Sequence, residues 1–270
     1  MGVQRVLVTG SAGAIGRALR PRLRRDGRVL RLMDLAAQDP VGQDPAGSDE
    51  AVELVTGSVT DLAATTEACR DVDAVIHLGG HSREATWPDI LATNIDGTRT
   101  VLEASRVAGV PRVVLASSNH AAGFRGIADA TGLPADSPAR PDTYYGVSKA
   151  AMEALGSLYH SRFGMDVICV RIGFCFERPT SARTLALWLS QDDCARLMEA
   201  CLAVERPGYR VVWGISANTR RYLPLAEAEA LGYRPQDDAE AYAGEVAAAP
   251  DDDVPYVGGA WVDNPLGEPN

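Results

Sequence analysis

Residues 3–16 read Val-Gln-Arg-Val-Leu-Val-Thr-Gly-Ser-Ala-Gly-Ala-Ile-Gly, an aliphatic run followed at once by three spaced glycines. The run predicts a buried strand, and the glycines predict a tight turn from that strand into a helix. Gly10 would permit the turn, Gly13 would let the backbone approach a pyrophosphate, and Gly16 would allow close packing of strand and helix. An ordinary glycine-rich turn is the alternative interpretation.

Short aliphatic runs alternate with helical patterns as far as Arg171, which is typical of a parallel sheet with crossover helices. We predict an α/β fold with a Rossmann-type, doubly wound parallel sheet. The predicted strands are residues 3–9, 29–33, 52–56, 74–78, 112–116 and 166–171. The predicted helices are about 15–25, 87–108 and 144–163, and residues 36–50 are predicted to form a surface loop.

The pattern changes after Arg171, where we predict a loop at 178–183, a helix at 191–204, a strand at 210–215 and a helix at 223–231. Residues 172–270 would then form a small substrate-binding cap with a C-terminal tail, added to an NAD-binding domain of residues 1–171. Tyr256 and Trp261 in the polar tail predict that it docks onto the body of the protein or onto a partner subunit.

Composition excludes several classes of protein. The chain of 270 residues has a net charge of −10 and a pI near 4.9, which argues against a nucleic-acid partner. No apolar run is long enough for a membrane span, and the start lacks the apolar core of a signal peptide, so we expect a cytoplasmic protein. Five cysteines without a Cys-x-x-Cys pair favour reduced thiols over a disulfide framework or a metal site.

Asp34 ends the second predicted strand, where a carboxylate can accept hydrogen bonds from the ribose hydroxyls of an adenosine. A carboxylate there would repel a 2′-phosphate, so Asp34 favours NAD over NADP. A turn or helix-capping role is the alternative for this residue. Leu78-Gly79-Gly80, after the fourth strand, offers a second close approach of backbone to the cofactor.

Lys149 is the only lysine among 26 basic side chains, and it stands four residues after Tyr145. The two side chains would share one face of a helix. A free phenol is a poor base at neutral pH, but an adjacent ammonium stabilises the phenolate and lowers its pKa. Ser118 would lie at the carboxyl end of a parallel strand and hydrogen-bond the oxygen being oxidised. Tyr145, Lys149 and Ser118 are therefore the predicted catalytic residues.

Several longer motifs resemble the extended short-chain dehydrogenases/reductases, the NAD-dependent epimerase/dehydratase family, and within them the uronate dehydrogenases. The resemblance rests on Ala116-Ser-Ser-Asn-His, Tyr145-Gly-Val-Ser-Lys, Val170-Arg-Ile-Gly, Trp188-Leu-Ser-Gln-Asp-Asp, Val212-Trp-Gly-Ile-Ser-Ala-Asn and Val262-Asp-Asn-Pro. The Tyr-x-x-x-Lys motif marks the whole superfamily, whereas Ser-Ser-Asn-His and the two tryptophan-containing motifs are narrower.

The resemblance implies oxidation of the anomeric hydroxyl of a pyranose to a lactone, with hydride passing to NAD. It implies that the sugar is held by Ser82, Ser118, Asn119, His120 and Arg183. We expect Tyr145 and Phe174 to contact the sugar as well. Arg183 would bind an anionic group at the sixth carbon, because a planar guanidinium suits a carboxylate. The residues expected to contact NAD are Gly10, Gly13, Ala14, Ile15, Gly16, Asp34, Ser58, Val59, Leu78, Gly79, Gly80, Ser117, Tyr145, Lys149 and Ile172.

The chain departs from the family pattern at two places. Phe174 stands where the family has a small serine, which removes a hydrogen-bond donor and fills volume. Arg220 and Arg221 follow Ser-Ala-Asn, where the family has aromatic residues and an aspartate. Extra arginines would suit a larger or more charged group than a carboxylate, although an arginine-rich chain also places them on its surface by bias alone.

The leading hypothesis is oxidation of a uronic acid such as glucuronate or galacturonate. The alternative is the same oxidation of a sugar 6-phosphate or 6-sulfonate, such as glucose 6-phosphate or sulfoquinovose. A nucleotide-sugar epimerase or dehydratase, and a non-catalytic NAD sensor, are alternatives of other classes. By analogy of fold we expect a homo-oligomer that associates through the helices at 87–108 and 144–163.

Overall fold

The computed structural model describes residues 4–36, 52–247 and 249–269. Seven parallel strands form one sheet: β1 (Arg5–Thr9), β2 (Val29–Asp34), β3 (Val52–Thr56), β4 (Ala74–His77), β5 (Arg112–Ser118), β6 (Asp166–Ile172) and β7 (Tyr209–Gly214). Their order across the sheet is β3-β2-β1-β4-β5-β6-β7. All six strands predicted before Arg171 are confirmed to within about two residues. The predicted loop at 36–50, apart from Ala36, lies outside the described residues.

The longer helices are α1 (Ala14–Arg22), α2 (Leu62–Ala68), α4 (Gly97–Ala108), α6 (Tyr144–Phe163) and α8 (Gln191–Ala203). Shorter ones are α3 (Trp87–Asp89), α5 (Ile127–Ala130), α7 (Ala182–Leu187) and α9 (Ala226–Ala230). Helix α6 has a defined start and end. Thr143 Oγ1 accepts from Gly146 N at its first turn, and Gly164, at φ +72°, closes its last turn.

The central strands are buried on both faces, as a sheet covered by helices requires. The side chains of β4, β5 and β6 are almost wholly inaccessible to solvent and belong to one continuous apolar core. The fully buried polar residues of these three strands lie near the carboxyl ends, at His77, Ser117, Ser118 and Arg171. The sheet is therefore a rigid base that presents polar groups at one edge.

Strand β1 lies between β2 and β4. The next two strands along the chain, β2 and β3, lie on one side of β1, and the strands from β4 onward lie on the other side. Helices on either side of such a switch point diverge and leave a crevice at the carboxyl ends of the strands. The glycines after β1 and the Leu78–Gly80 segment after β4 meet at this crevice, since Leu78 N donates to Thr9 O over 3.1 Å.

Several helix predictions need correction. The helix predicted at 87–108 is interrupted by a π-helix at Ile90–Asp96, which directs the Asn94 amide to His81 O and Ser148 Oγ. Helix α2 was not predicted, because its short Ala- and Thr-rich run has no clear apolar periodicity. Helix α7 begins at Ala182, inside the stretch predicted as a loop.

Strand β7 lies within residues 172–270, the segment predicted to be a cap, and pairs with β6 from Val167 and Tyr209 to Ile172 and Gly214. The cap segment thus shares the main sheet. The division of the chain at residue 171 into an NAD-binding domain and a cap stays a prediction.

The C-terminal tail docks onto the body of the protein, one of the two arrangements predicted from its aromatic residues. Val257 N donates to Arg125 O and Gly258 N to Gly123 O, each over 2.9 Å. Tyr256 forms a bridge with Gly126 and an edge contact with the ring of Phe124.

In the parts of the chain that the structure describes, no helix combines the length and apolar character that crossing a bilayer requires.

Asp193, in the first turn of α8, gives a test of how the later part of the chain is anchored. Its buried carboxylate accepts from Gln236 N at 2.9 Å and Asp237 N at 3.0 Å, and it also pairs with Arg196. Asp193→Ala leaves these donors unpaired, so we expect it to lower the free energy of unfolding by about 2–4 kcal/mol in urea denaturation.

Asp192→Ala is the matched control. Its carboxylate is largely exposed and pairs with Arg22 at the surface, so we expect a change below about 1 kcal/mol. Equal effects of the two substitutions would contradict the anchoring role of Asp193.

Candidate active site

The turn after β1 has the close packing that its glycines predict. Gly10 has φ +70°, and a Cβ atom there would lie 2.6 Å from Gly79 N. A Cβ atom at Gly16 would lie 2.6 Å from Gly10 O. Neither position can carry a side chain, so the turn stays tight and α1 begins immediately behind it. The first N–H groups of α1 then face the crevice, as anion binding at a helix N-terminus requires.

Asp34, at the end of β2, lies against this turn. Its Oδ2 accepts from Ala12 N over 2.9 Å, while the side chain stays partly exposed. The carboxylate is thus oriented by the glycine turn and retains acceptor capacity for the hydroxyls of a ribose. The expected neighbours Ser58 and Val59 follow β3, where Ser58 Oγ bonds to Thr60 Oγ1 and Val59 packs 3.0 Å from the Cβ position of Gly79.

A cavity of about 630 Å³ opens from the glycine turn along the carboxyl ends of β4, β5 and β6. It brings together most residues of the predicted site: Gly13, Ala14, Ile15, Leu78, Gly80, Ser82, Ser117, Ser118, Asn119, His120, Tyr145, Lys149, Ile172, Phe174 and Arg183. The other predicted cofactor residues, which are Gly10, Gly16, Asp34, Ser58, Val59 and Gly79, belong to the turn and to the ends of β2, β3 and β4 beside it. The pattern fits a dinucleotide that lies across the switch point with its reactive end in the cavity.

Tyr145 and Ser118 line this cavity together. Burial raises the pKa of the Tyr145 phenol to about 12, the bond from Ser118 opposes the rise, and the Asp142 carboxylate adds to it. Ser118 is fixed at the end of β5, where its Oγ also accepts from His120 N over 3.2 Å. Because the phenol pKa is high in the protein alone, a nearby positive charge is needed before Tyr145 can act as a base.

Lys149 supplies a positive charge close to that phenol. Its Nζ lies 5.3 Å from the centre of the Tyr145 ring and donates to Ala116 O over 2.8 Å. Burial lowers the pKa of Lys149 to about 8, and the Glu153 carboxylate, one helical turn further along α6, acts in the opposite direction. Burial, together with the same ammonium, lowers the pKa of His77 to about 3, so this histidine is a neutral core residue between Thr9 and Thr98.

Glu153 is itself held by a buried network. Arg171 donates to both of its carboxylate oxygens over 2.8 Å, and Ser117 Oγ donates to Oε1 over 2.6 Å. Arg171 is also packed against the ring of Trp213. Ser117 is next to Ala116, whose carbonyl accepts from Lys149, so the network supports both the charge and the position of the lysine.

His120 and Trp261 line the cavity, and Asp142 holds the His120 ring in place. Asp142 Oδ2 lies 2.7 Å from His120 Nδ1, and Thr143 Oγ1 donates to Oδ1 of the same carboxylate over 3.0 Å. A carboxylate accepts hydrogen bonds, so it holds the histidine proton on Nδ1 and leaves Nε2 for a ligand. The Trp261 ring stacks on His120 at 4.1 Å between centroids and lies 5.9 Å from the Tyr145 ring.

Asn119 and Arg183 are joined to the tail at one backbone carbonyl. Asn119 Nδ2 donates to Val257 O over 3.0 Å, and the Arg183 guanidinium donates to the same oxygen. Arg183 N is held by Asp252 Oδ1 over 2.8 Å at the start of α7. The tail thus fixes two of the predicted substrate-binding residues at the edge of the cavity.

Phe174 lines the cavity, and its ring packs against Phe176 at 4.5 Å between centroids. Its backbone is fixed on both sides, with N donating to Leu187 O over 2.8 Å and O accepting from Leu189 N over 2.9 Å. The aromatic ring therefore occupies a defined place in the wall.

Arg220 and Arg221 do not line the cavity. Arg220 pairs with Glu240 at 2.7 Å and 2.9 Å on the surface, and Arg221 Nη1 donates to Asn218 O over 3.1 Å. These contacts assign both guanidinium groups to the fold of the segment after β7.

Other lining residues were not predicted. They are His81, Arg83, Ala116, Gly173, Cys175, Phe176, Thr180, Ser181, Thr184, Ala249 and Trp261. His81 and Arg83 flank the predicted Ser82 after β4, so their position in sequence is itself a signal. Trp261 and Ala249 reach the cavity through the docking of the tail; its aromatic residues predicted that docking but not its position at the cavity.

A larger cleft of about 800 Å³ lies at the opposite, amino-terminal edge of the sheet. Its arginines are engaged in ion pairs, with Arg28 bonded to Glu199 at 2.6 Å and 3.0 Å and Arg112 bonded to Asp166 at 3.0 Å. We assign the site to the smaller cavity, because that one collects a base, an ammonium and hydrogen-bonding side chains with solvent access.

Because the chain has one lysine, its titration can be measured directly. In protein labelled with ¹³C-lysine, we expect one side-chain NMR signal with a midpoint near pH 8. Glu153→Gln removes the carboxylate that raises the pKa of Lys149 and leaves Arg171 without its counter-charge, so the midpoint should move to lower pH.

Glu103→Gln provides the control, since Glu103 pairs with Arg106 on the surface of α4 and is not among the charges that shift Lys149. An unchanged midpoint in the Glu153 variant, or equal shifts in both variants, would refute the coupling of Glu153 to Lys149.

Comparison with known proteins places this arrangement in a family. A model of the NAD dependent epimerase/dehydratase family matches residues 6–176. Uronate dehydrogenase of Pseudomonas putida is 39% identical over 262 residues, 95% of each chain. NAD-dependent glucose-6-phosphate dehydrogenase of Haloferax volcanii is 37% identical over 87% of this chain and 94% of its own. A crystal structure of an Agrobacterium tumefaciens uronate dehydrogenase variant complexed with NAD is 39% identical, with a TM-score of 0.88 over 97% of this chain and 98% of that one. From its glycine turn to its Tyr145–Lys149 pair, the chain belongs to the NAD-dependent epimerase/dehydratase family.

Proposed function

We propose that the protein oxidises the anomeric hydroxyl of a hexose that carries an anionic group at carbon 6, with a uronic acid as the leading substrate. The observation that carries the proposal is one cavity in which Ser118, Tyr145 and Lys149 lie beside a glycine turn and share the space with His120 and Arg183. The uronate dehydrogenases, which are similar over nearly the full length of the chain, support the same substrate class.

The roles of the catalytic residues follow from their contacts. Tyr145 takes the proton of the anomeric hydroxyl, and Ser118, which lines the same cavity, orients the hydroxyl oxygen. Lys149 stabilises the phenolate with its buried charge. NAD, when bound, supplies the acceptor for the hydride that leaves carbon 1. Loss of a proton and a hydride converts the hemiacetal to a lactone.

The remaining predicted residues would bind the cofactor and the sugar. The glycine turn and the N-terminus of α1 would hold the pyrophosphate, Asp34 the adenosine ribose, and Lys149 the nicotinamide ribose. His120 Nε2 and Asn119 would bind sugar hydroxyls. The Trp261 ring offers an apolar surface for the C–H face of a pyranose. Residues 172–270 would serve as the sugar-binding part of the molecule.

There are two candidates for the anionic group at carbon 6, a carboxylate and a phosphate. Arg183 suits a carboxylate, and the Phe174 ring reduces the space in the cavity where the family has a serine. The similarity to a glucose-6-phosphate dehydrogenase of Haloferax volcanii favours a 6-phosphate as the second candidate. Arg220 and Arg221 no longer support that candidate, because their contacts lie outside the cavity.

A homo-oligomer and a cytoplasmic location are part of the proposal. Large apolar side chains are exposed on α3, α4, α6 and the π-helix between α3 and α4, which suits contact with a second copy; they are Trp87, Leu91, Val107, Leu158 and Phe163. All five cysteines are free and buried, which suits a reducing compartment.

Initial rates of NADH formation on glucuronate, galacturonate, glucose 6-phosphate, sulfoquinovose and glucose test the proposal. We expect the uronates to have the highest kcat/KM. Tyr145→Phe, which removes only the hydroxyl, should lower kcat by at least about a hundredfold while leaving NAD affinity intact.

Unchanged NADH formation by the Tyr145→Phe variant would remove the catalytic assignment. Tightly bound NAD after purification, without NADH formation from any free sugar, would instead favour a nucleotide-sugar epimerase or dehydratase.

Asp34→Asn tests the choice of cofactor. The amide can still accept from Ala12 N, but it loses the negative charge that repels a 2′-phosphate. We expect the ratio of kcat/KM for NAD to that for NADP to fall by about tenfold to a hundredfold, in line with the loss of hydrogen bonds to a charged group. An unchanged ratio would leave Asp34 as a turn residue.

A further inference from the structure

The segment after β4 carries a cation, Arg83, that the proposed function does not use. Arg83 lines the same cavity as Arg183, and its side chain is exposed. Within the described residues, Arg83 forms no ion pair or hydrogen bond. In a protein with a net charge of −10, an uncompensated guanidinium in the candidate active site is an unusual feature.

The backbone on both sides of Arg83 is fixed. Before it, His81 N donates to Asn94 Oδ1 over 2.7 Å, and Asn94 Nδ2 donates to His81 O over 3.0 Å. After it, the buried Glu84 carboxylate accepts from Tyr145 N at 2.8 Å and Gly267 N at 2.8 Å. Arg83 therefore projects from a rigid loop tied directly to the first turn of α6.

The nearest carboxylate in sequence does not neutralise Arg83. Glu84 is 2% exposed, and its two oxygens also accept from the backbone N–H groups of Tyr144 and Tyr145. Elsewhere in the described chain many arginines pair with a carboxylate, including Arg22, Arg28, Arg31, Arg112, Arg171 and Arg220. Arg83 differs from these in facing a cavity that a ligand can enter.

We propose that Arg83 is a specificity-determining residue that binds an oxyanion of the substrate, the acid group at carbon 6. A guanidinium on a fixed loop can bind a carboxylate or phosphate through two parallel hydrogen bonds. The Arg183 guanidinium donates one of its hydrogen bonds to Val257 O and not to a ligand. A second cation can therefore bind oxygen atoms of the acid group that Arg183 does not reach. This inference rests on the proposed function.

The pyrophosphate of NAD is a second oxyanion that a guanidinium in this cavity can bind. The sugar is favoured, because the loop that carries Arg83 is bonded to Tyr145, the proposed base, and Trp87 on the same segment packs against Tyr144 at 5.1 Å. The pyrophosphate is expected at the glycine turn, where the N-terminus of α1 offers backbone N–H groups.

Steady-state kinetics of Arg83→Gln on an anionic sugar and its neutral counterpart test the inference. For glucuronate and glucose 6-phosphate we expect KM to rise about tenfold to a hundredfold with kcat little changed. For glucose, and for NAD, KM should stay at the wild-type value. Arg83→Lys keeps the charge without the planar fork and should give an intermediate KM.

Arg220→Gln is the matched control, since Arg220 is exposed, paired with Glu240 and outside the cavity. A rise in KM for NAD alone would assign Arg83 to the pyrophosphate and overturn the inference. An equal rise for glucose, or no change for the anionic sugars, would also overturn it.

Calorimetric binding separates this inference from the proposed function. If glucuronate binds wild-type protein more tightly than Arg83→Gln but no sugar is oxidised, the oxyanion site stands and the proposed reaction fails. If glucuronate is oxidised and binds both proteins equally, the reaction stands and the role of Arg83 is wrong. Absence of glucuronate binding to the wild type would overturn the inference as well.

Discussion

The candidate site depends on keeping one ammonium group charged inside a low-dielectric core. Burial disfavours the charged form of Lys149, and the phenol of Tyr145 becomes a usable base only if that charge is present. Glu153, one helical turn after Lys149 on α6, favours the charged form of the lysine. Arg171 in turn compensates the buried Glu153 carboxylate. Each of these charges lies near one of opposite sign, so removing one leaves its neighbour uncompensated.

The same constraint explains why the site lies where the sheet is most rigid. Ala116, Ser117 and Ser118 are consecutive on β5, and they meet Lys149, Glu153 and the Tyr145 hydroxyl respectively. A strand places successive side chains on opposite faces, so one short stretch serves both the support of the lysine and the reacting hydroxyl. The distances between the reacting groups are therefore set by backbone pairing.

The sequence predicted those parts of the structure that depend on local spacing. Tyr145 and Lys149 share a helix face, the glycines follow a strand, and Ser118 ends one, so short-range rules suffice for them. Glu153 follows Lys149 at the same helical interval and was within reach of that reasoning. Asp142, Trp261 and the π-helix around Asn94 depend on contacts between distant segments, which periodicity does not reveal. Arg220 and Arg221 were misleading because an arginine-rich chain also uses arginine for ordinary surface pairs.

The position of Trp261 has a consequence for how the protein is made. The cavity joins Gly13, near the start of the chain, to Trp261, near its end, and the tail also ties Val257 to Asn119 and Arg183. The strands of the sheet are complete on the ribosome by Gly214, well before Trp261 has been synthesised. The residues of the sheet and of the glycine turn are therefore all synthesised before the residue that completes the sugar side of the cavity, and a chain without its tail would carry the dinucleotide site but not the Trp261 wall.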